Sequence, residues 1–256
     1  MRNVGRKLAF VLASSNHGTM IVNRLDHSAT DGNAGVGNHL LEKAGVDSLA
    51  VELGEHLLAQ RRRIHGDGAV AIDCGANIGA HTIEWAVAMT GWGSVIAVEA
   101  QERIYYALAG NIAINNCFNA IAMHGAVSAE AGITEIRIPD EFVGQAIDPA
   151  DDKLVPIQKM TLDSLELPRV DLIKIDAESI ERQALEGARQ TLERCRPILL
   201  IEPIKAGREL VRAWLKERGY QVIDAGMHVL ALHKTDAILT QLATQNAPPE
   251  QSTAAA

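Results

Sequence analysis

The stretch A-V-A-I-D-C-G-A-N-I-G, at residues 69–79, decides how the rest of the chain folds. Its first half is a short apolar run that ends in an acid, which is typical of a buried parallel strand. Gly75 and Gly79 then enclose a turn, and a helical pattern follows through Ile83 and Ala86. A strand, a glycine turn and a helix form the first unit of a nucleotide-binding α/β sheet, because glycine lets the backbone approach a ligand closely.

The spacing of this turn indicates which ligand it binds. From Gly75 it reads G-x-x-x-G and not G-x-G-x-x-G, and Asp73 stands two residues before it. A dinucleotide site places pyrophosphate on the helix N-terminus, where an acid at the strand end would repel it. Asp73 instead suits a cationic or amine-bearing ligand, such as the methionine end of S-adenosylmethionine. We expect Asp73 to face that end, with Gly75, Ala76, Asn77 and Gly79 forming the turn against the cofactor.

Strand and helix patterns alternate along the rest of the chain. Buried strands are predicted at residues 94–98, 121–127, 172–175 and 197–201. Residues 144–156 are interpreted as a polar loop, and residues 220–223 and 229–232 as a final tight strand pair. This alternation predicts an α/β fold with a doubly wound, mostly parallel sheet, in which the final pair supplies an antiparallel edge.

Acidic residues follow four of the predicted strands, at the edge where such sheets bind ligands. They are Asp73, Glu99, Asp176 and Glu202. A single acid at a strand end is commonly a helix N-cap, but four in succession favour a binding site. Glu99 lies 26 residues after Asp73, about where a carboxylate accepts two hydrogen bonds from a ribose diol. We therefore predict that Glu99 binds the cofactor ribose.

Three regions are distinguished along the chain. Residues 1–66 are interpreted as an N-terminal extension, serving as a lid or an acceptor-side element, and residues 67–242 as the cofactor-binding domain. Residues 243–256 are rich in Ala, Pro, Gln and Ser and predict a disordered tail. The triplet Arg61-Arg62-Arg63 is interpreted as the C-terminus of a helix on its solvated face.

Composition limits the kind of partner and the compartment. The 256 residues have room for one α/β domain with a small appendage. A net charge of −8 disfavours a nucleic-acid partner, since phosphate binding requires a basic face. Three cysteines without C-x-x-C spacing, no secretory leader pattern and no apolar run of about 20 residues predict a cytoplasmic protein without a membrane span. The sequence leaves the oligomeric state open.

Six segments in order resemble the FkbM-type S-adenosylmethionine-dependent methyltransferases. They are D-C-G-A-N-I-G-A-H-T (73–82), V-I-A-V-E-A (95–100), N-I-A-I-N-N (111–116), M-T-L-D-S-L (160–165), I-K-I-D-A-E-S-I-E-R-Q-A-L-E-G-A (173–188) and P-I-L-L-I-E (197–202). The resemblance implies a seven-stranded class I methyltransferase sheet and O-methylation of a sugar, a glycan or another small molecule. Two departures stand out: Ala100 replaces the family's proline after Glu99, and Ser179 replaces its glycine in Asp-x-Glu-Gly-x-Glu.

On this resemblance, the third strand's end at Ala126 and Val127 flanks adenine. Asp176 and Glu178 face the methyl group and are the candidates for acceptor binding and for the general base. A carboxylate base needs its pKa raised, by burial or by a neighbouring acid. Lys174, inside the strand, is a candidate ion-pair partner for one of these acids.

Three alternatives remain open at this point. A magnesium site built from Asp176, Glu178 and Glu202 is chemically reasonable, although we expect no metal. A methyltransferase acting on a macromolecule is the second, but amino-directed enzymes carry an Asn/Asp-Pro-Pro-aromatic turn where this chain has D-A-E-S at residues 176–179. A cofactor-binding protein without catalysis is the third.

Overall fold

The computed structural model describes residues 9–25, 35–45, 48–138, 153–176, 180–203 and 207–239. The predicted tail at residues 243–256 lies outside this part, as do Glu178 and Ser179. The strands are β1 (Phe10–Ser15), β2 (Gly18–Asn23), β3 (Ala69–Cys74), β4 (Gly93–Glu99), β5 (Ala120–His124), β6 (Ala126–Val127), β7 (Gly132–Ile138), β8 (Lys153–Met160), β9 (Leu172–Ile175), β10 (Ile198–Ile201), β11 (Tyr220–Ala225) and β12 (His228–His233). The helices are α1 (Val36–Lys43), α2 (Ser48–His65), α3 (Ala80–Ala88), α4 (Glu102–Ile114), α5 (Glu181–Glu186), α6 (Arg189–Cys195) and α7 (Arg208–Glu217).

The central sheet has seven strands in the order β11-β12-β10-β9-β3-β4-β5. The five strands from β10 to β5 run parallel, and β12 is antiparallel to both of its neighbours. The prediction of a doubly wound, mostly parallel sheet with an antiparallel pair at its edge is confirmed. The reversed strand is β12, one position in from the edge strand β11.

Helices cover both faces of this sheet, which explains why its inner strands are mostly apolar, with Asp73 in β3 and Lys174 in β9 as exceptions. Every residue of β9 and β10 is buried. Helices α1 to α4 and strand β2 contribute to the apolar core on one face. Helices α5 to α7 contribute to the core on the other face. In the described part of the chain, no helix combines the length and the apolar character needed to cross a bilayer.

Two smaller sheets accompany the central one. Strands β6, β8 and β7 form a three-stranded sheet, and β1 and β2 form an antiparallel hairpin. The interpretation of residues 144–156 as a loop is wrong for Lys153–Pro156, which begin β8, whereas residues 144–152 lie outside the described part. Pro156 pairs opposite Glu135 within this sheet, although proline lacks the N–H that a strand normally donates.

Two asparagines of α4 hold the N-terminal hairpin. Asn111 accepts a hydrogen bond from the N–H of Ile21 (2.6 Å) and donates to the carbonyl oxygens of Ile21 (3.2 Å) and Ile78 (2.7 Å). Asn115, one helical turn later, accepts from the N–H of Thr19 and donates to its carbonyl oxygen. Side chains four residues apart share one helix face, so the pair binds two alternate residues of the β2 backbone, Thr19 and Ile21.

The arginine triplet is only partly where the sequence predicts it. Helix α2 does end just beyond it, and Arg62 and Arg63 are exposed. Arg61 is buried, and its guanidinium donates to Asp236 (2.6 Å) and to the carbonyl oxygen of Arg196 (3.0 Å). The solvated-face interpretation is therefore wrong for Arg61, which joins α2 to the segment that follows β12.

Replacing Arg61 by methionine is expected to lower the free energy of unfolding by about 3–5 kcal/mol. The substitution leaves the buried carboxylate of Asp236 without its counter-charge. Arg63→Met, a matched change of an exposed arginine in the same helix, should stay within about 0.5 kcal/mol of wild type. Urea unfolding followed by circular dichroism measures both, and equal losses in the two variants would contradict the assignment.

Candidate active site

Ionisable side chains lie on one face of the central sheet, near the carboxyl ends of its parallel strands, and six of them belong to or directly follow β3, β4, β9, β10 and β12. Asp73 pairs with Lys174 across β3 and β9, and residues two apart on a strand share a face. Ile201 of β10 pairs with Ile175 of β9 and with Val229 of β12. The adjacent residues Glu202, Asp176 and His228 therefore also lie side by side. The six are Asp73, Glu99, Lys174, Asp176, Glu202 and His228.

The glycine turn begins where β3 ends. Its backbone enters the left-handed region three times, at Gly75 (φ 73°), Asn77 (φ 51°) and Gly79 (φ 94°). Asparagine tolerates this region better than most residues, but Gly79 has a second constraint. A Cβ atom there would lie 2.6 Å from Cδ1 of Leu108 in α4. The turn therefore requires glycine both for its conformation and for the close approach of α4.

The N–H groups of the turn are all used within the protein. Those of Gly75 and Ala76 donate to the carbonyl oxygen of Val98 at 3.0 Å, and that of Gly79 to Ala76 at 2.9 Å. The N–H of Asn77 donates to Glu99 (2.9 Å), and that of Ile78 to the side chain of Asn77 (2.8 Å). A turn whose donors are already occupied is poorly suited to a pyrophosphate, whereas S-adenosylmethionine has no phosphate to bind.

Glu99 is held in place by backbone donors. Its Oε2 accepts from Asn77, and its Oε1 accepts from the N–H of Gln101 at 2.8 Å. The residue is 8% exposed, and burial raises the pKa of the carboxyl above 4.5 although these hydrogen bonds lower it. A carboxylate has about four lone-pair positions, so the oriented group keeps acceptor capacity beyond the backbone donors of Asn77, Ala100 and Gln101.

Asp73 lies beneath the turn, in the centre of a charged group. Its carboxylate is fully buried, accepts a hydrogen bond from the Thr82 hydroxyl (2.7 Å) and lies 3.4 Å from Nζ of Lys174. The same ammonium donates to Asp176 at 3.1 Å. The predicted ion pair of Lys174 is thus found, with Asp73 and Asp176 on either side. We call these three residues the Asp73–Lys174–Asp176 triad.

Lys174 remains protonated in this position. Burial lowers the pKa of its amine, but the two carboxylates raise it by more, so the pKa lies above its ordinary value. The Lys174 side chain is 1% exposed, whereas that of Asp176 is 39% exposed. Asp176 is therefore the member of the triad that a ligand can reach directly.

The remaining sequence candidates lie nearby or outside the described part. Ala126 and Val127 form β6, and the preceding N–H of Gly125 donates to the carbonyl oxygen of Glu99 at 3.1 Å. The start of β6 is thus beside the end of β4. A nucleoside whose ribose is bound to Glu99 would have room for its base next to β6. Glu178 lies outside the described residues.

One residue at this edge, His228, was not predicted as part of the site. Nε2 of His228 lies 3.4 Å from Oε2 of Glu202, and His228 is buried. An antiparallel strand begins at the edge of the sheet where the parallel strands end. The position of His228 at the start of β12 was therefore the sequence signal that it lies at this edge. Among the described residues, no group of three or more His, Cys, Asp or Glu side chains could hold a metal ion.

A family model described as the methyltransferase FkbM domain matches residues 73–222, or 150 of the 256 residues. The chain belongs to this family. The resemblance seen in the sequence is thereby confirmed. A comparison with curated protein sequences gives no match.

Solved structures of several methyltransferases are similar to this FkbM-family chain. One is a methyltransferase FkbM from Methylobacillus flagellatus KT (17% identity, TM-score 0.48), where the match covers 73% of this chain and 56% of that one. Another is an rRNA methylase from Streptococcus thermophilus (12%, TM-score 0.45), covering 75% and 100%. A third is M. jannaschii TYW2 in complex with AdoMet (15%, TM-score 0.42), covering 89% and 86%. The chain matches little more than half the length of the first. The seven-stranded, mostly parallel sheet is the fold that the resemblance to the FkbM family implies.

Proposed function

We propose that this FkbM-family protein is an S-adenosylmethionine-dependent methyltransferase that acts on a hydroxyl group of a sugar, a glycan or another small molecule. The observation that carries the proposal is the contact between the glycine turn and Glu99. The Asn77 N–H fixes the carboxylate at the strand edge, and no N–H from Gly75 to Gly79 is left for a phosphate. This arrangement supports a nucleoside ligand that has a ribose diol but no phosphate.

The cofactor would lie along the carboxyl ends of β3, β4 and β5. In this proposal Gly75, Ala76, Asn77 and Gly79 back its methionine part, and Glu99 accepts hydrogen bonds from the two ribose hydroxyls. Ala126 and Val127 flank adenine. Asp73 acts on the methionine end through Lys174, since its own carboxylate is fully buried. When bound, the cofactor supplies an activated methyl group.

The acceptor would lie beyond β9. Asp176 is partly exposed, and its N–H donates to the carbonyl oxygen of Cys74 (3.0 Å), immediately before the glycine turn. Glu178 follows two residues later. We assign these two residues to binding the acceptor hydroxyl, orienting its oxygen toward the methyl group and taking its proton. The net charge of −8 argues against a nucleic-acid acceptor, which would require a basic face.

The proposal is tested first by cofactor binding. Isothermal titration calorimetry is expected to detect S-adenosylmethionine and its demethylated product, S-adenosylhomocysteine, in the micromolar range. NAD should give no heat, because the turn has no free N–H groups for its pyrophosphate. Binding of NAD without binding of S-adenosylmethionine would overturn the interpretation of the turn.

Glu99→Ala is expected to weaken S-adenosylmethionine binding by about 1.5–3 kcal/mol, the usual contribution of hydrogen bonds to a charged group. Glu102→Ala, which removes an exposed acid three residues further along, is the matched control. Circular dichroism checks that both variants are folded. Unchanged affinity in folded Glu99→Ala would mean that Glu99 only supports the backbone.

Wild-type protein and Glu99→Ala can also be compared as a function of pH. Because burial raises the pKa of Glu99, its carboxylate becomes protonated above pH 4.5 as the solution is acidified, and it then loses acceptor capacity. Wild-type affinity for S-adenosylmethionine should therefore fall with decreasing pH in a window above 4.5. Glu99→Ala should lack this dependence.

The acceptor side is tested by amide variants. Methyl transfer from labelled cofactor to a panel of sugars, lipids and polyketides first identifies an acceptor. Asp176→Asn and Glu178→Gln should then reduce turnover by about 10²–10⁴-fold while cofactor affinity stays within about 1 kcal/mol of wild type. Glu217→Gln, an exposed acid on α7, should leave turnover unchanged.

Full activity in both amide variants would overturn the acceptor assignment. We also expect no effect of EDTA on turnover. Inhibition by EDTA that Mg²⁺ reverses would instead favour the carboxylate–metal alternative.

A further inference from the structure

The Asp73–Lys174–Asp176 triad contains two carboxylates and one ammonium. With Lys174 protonated, these charges sum to one net negative charge when both acids are ionised. Asp73 is fully buried and Lys174 is 1% exposed, whereas the side chain of Asp176 is 39% exposed. The unbalanced charge of the triad is thus presented to ligands through Asp176.

Asp176 is also close to the glycine turn. Its N–H donates to Cys74, the last residue of β3 before Gly75. Strands β3 and β9 are adjacent, and neighbouring strands lie about 4.8 Å apart. Asp176 shares a sheet face with Asp73 and Lys174, because residues two apart on a strand point the same way. Its carboxylate therefore lies on the side of the turn where the methionine end of the cofactor is proposed.

We propose that the triad presents a single net negative charge, on Asp176, to the sulfonium end of the cofactor and so favours S-adenosylmethionine over S-adenosylhomocysteine. This inference rests on the function proposed above. The two molecules differ at sulfur by one methyl group and one positive charge. A nearby carboxylate attracts the sulfonium and has no comparable attraction for the neutral thioether.

Lys174 is the positioning residue of this arrangement. Without it, two like charges would lie on neighbouring strands, one of them fully buried, which is strongly unfavourable. With it, Asp73 is balanced and Asp176 is held by a hydrogen bond of 3.1 Å. Methyl transfer removes the charge from sulfur, so the attraction ends when the product forms. The triad thereby favours exchange of product for fresh cofactor.

The test compares dissociation constants for the two ligands by isothermal titration calorimetry and requires no acceptor. In Asp176→Asn and in Asp73→Asn the triad has no net charge, and the preference for S-adenosylmethionine should fall by about three- to fivefold. In the double variant Asp73→Asn/Lys174→Met the net charge is again −1, carried by Asp176, and the wild-type preference should return. Glu217→Gln, an exposed acid outside the triad, should leave the preference unchanged.

The outcomes separate this inference from the proposed function. Wild-type protein that binds neither ligand overturns the proposed function. Wild-type binding with an unchanged preference in Asp176→Asn overturns the inference alone. A changed preference in Asp176→Asn but not in folded Asp73→Asn shows that Asp176 acts without the triad and also overturns it. If Asp73→Asn does not fold, the comparison of Asp176→Asn with Glu217→Gln decides. Loss of the preference for S-adenosylmethionine in Asp176→Asn alone supports the inference, and an equal preference in both variants overturns it.

Discussion

The buried ammonium of Lys174, between Asp73 and Asp176, is the constraint on which the arrangement of the sheet depends. It requires β3 and β9 to be neighbours, and it requires Lys174 to lie opposite Asp73 in the register. A slip of one residue would turn the lysine toward the opposite face, into the apolar core that α5 to α7 cover. The apolar side chains of β3 and β9 would be buried in either of these two registers. Lys174 reaches both Asp73 and Asp176 in only one of them.

The elements of the fold could be predicted from the sequence where their signals are local. Buried parallel strands are continuous apolar runs, so β3, β4, β9 and β10 are visible without knowledge of their neighbours. Arg61 was misinterpreted because its partner, Asp236, is 175 residues away and no local pattern indicates the contact. Strand β8 was hidden because Pro156 and its charged neighbours are typical of a loop.

The candidate site likewise has features that the local sequence indicates and features that depend on contacts between distant residues. The sequence places Asp73, Glu99 and Asp176 at one edge of the sheet, because each follows an apolar run. It does not indicate that Asp73 is fully buried while Asp176 is partly exposed, a difference that arises from packing across the sheet. His228, the partner of Glu202, was missed because this contact requires the strand order, which brings β12 next to β10. Membership of the FkbM family supports the fold, whereas the reaction is our proposal and the acceptor has to be identified by experiment.

The asparagine side chains of α4 bind the main chain of the N-terminal hairpin and not its side chains. A contact of this kind does not depend on the side chains of Thr19 and Ile21, whereas the buried side chains of Met20 and Val22 pack the same strand into the apolar core. Asn111 and Asn115 themselves lie inside the matched residues 73–222, and the hairpin lies before them. The amide pair therefore attaches a hairpin from outside the matched residues to a helix within them, and it does so by binding the main chain.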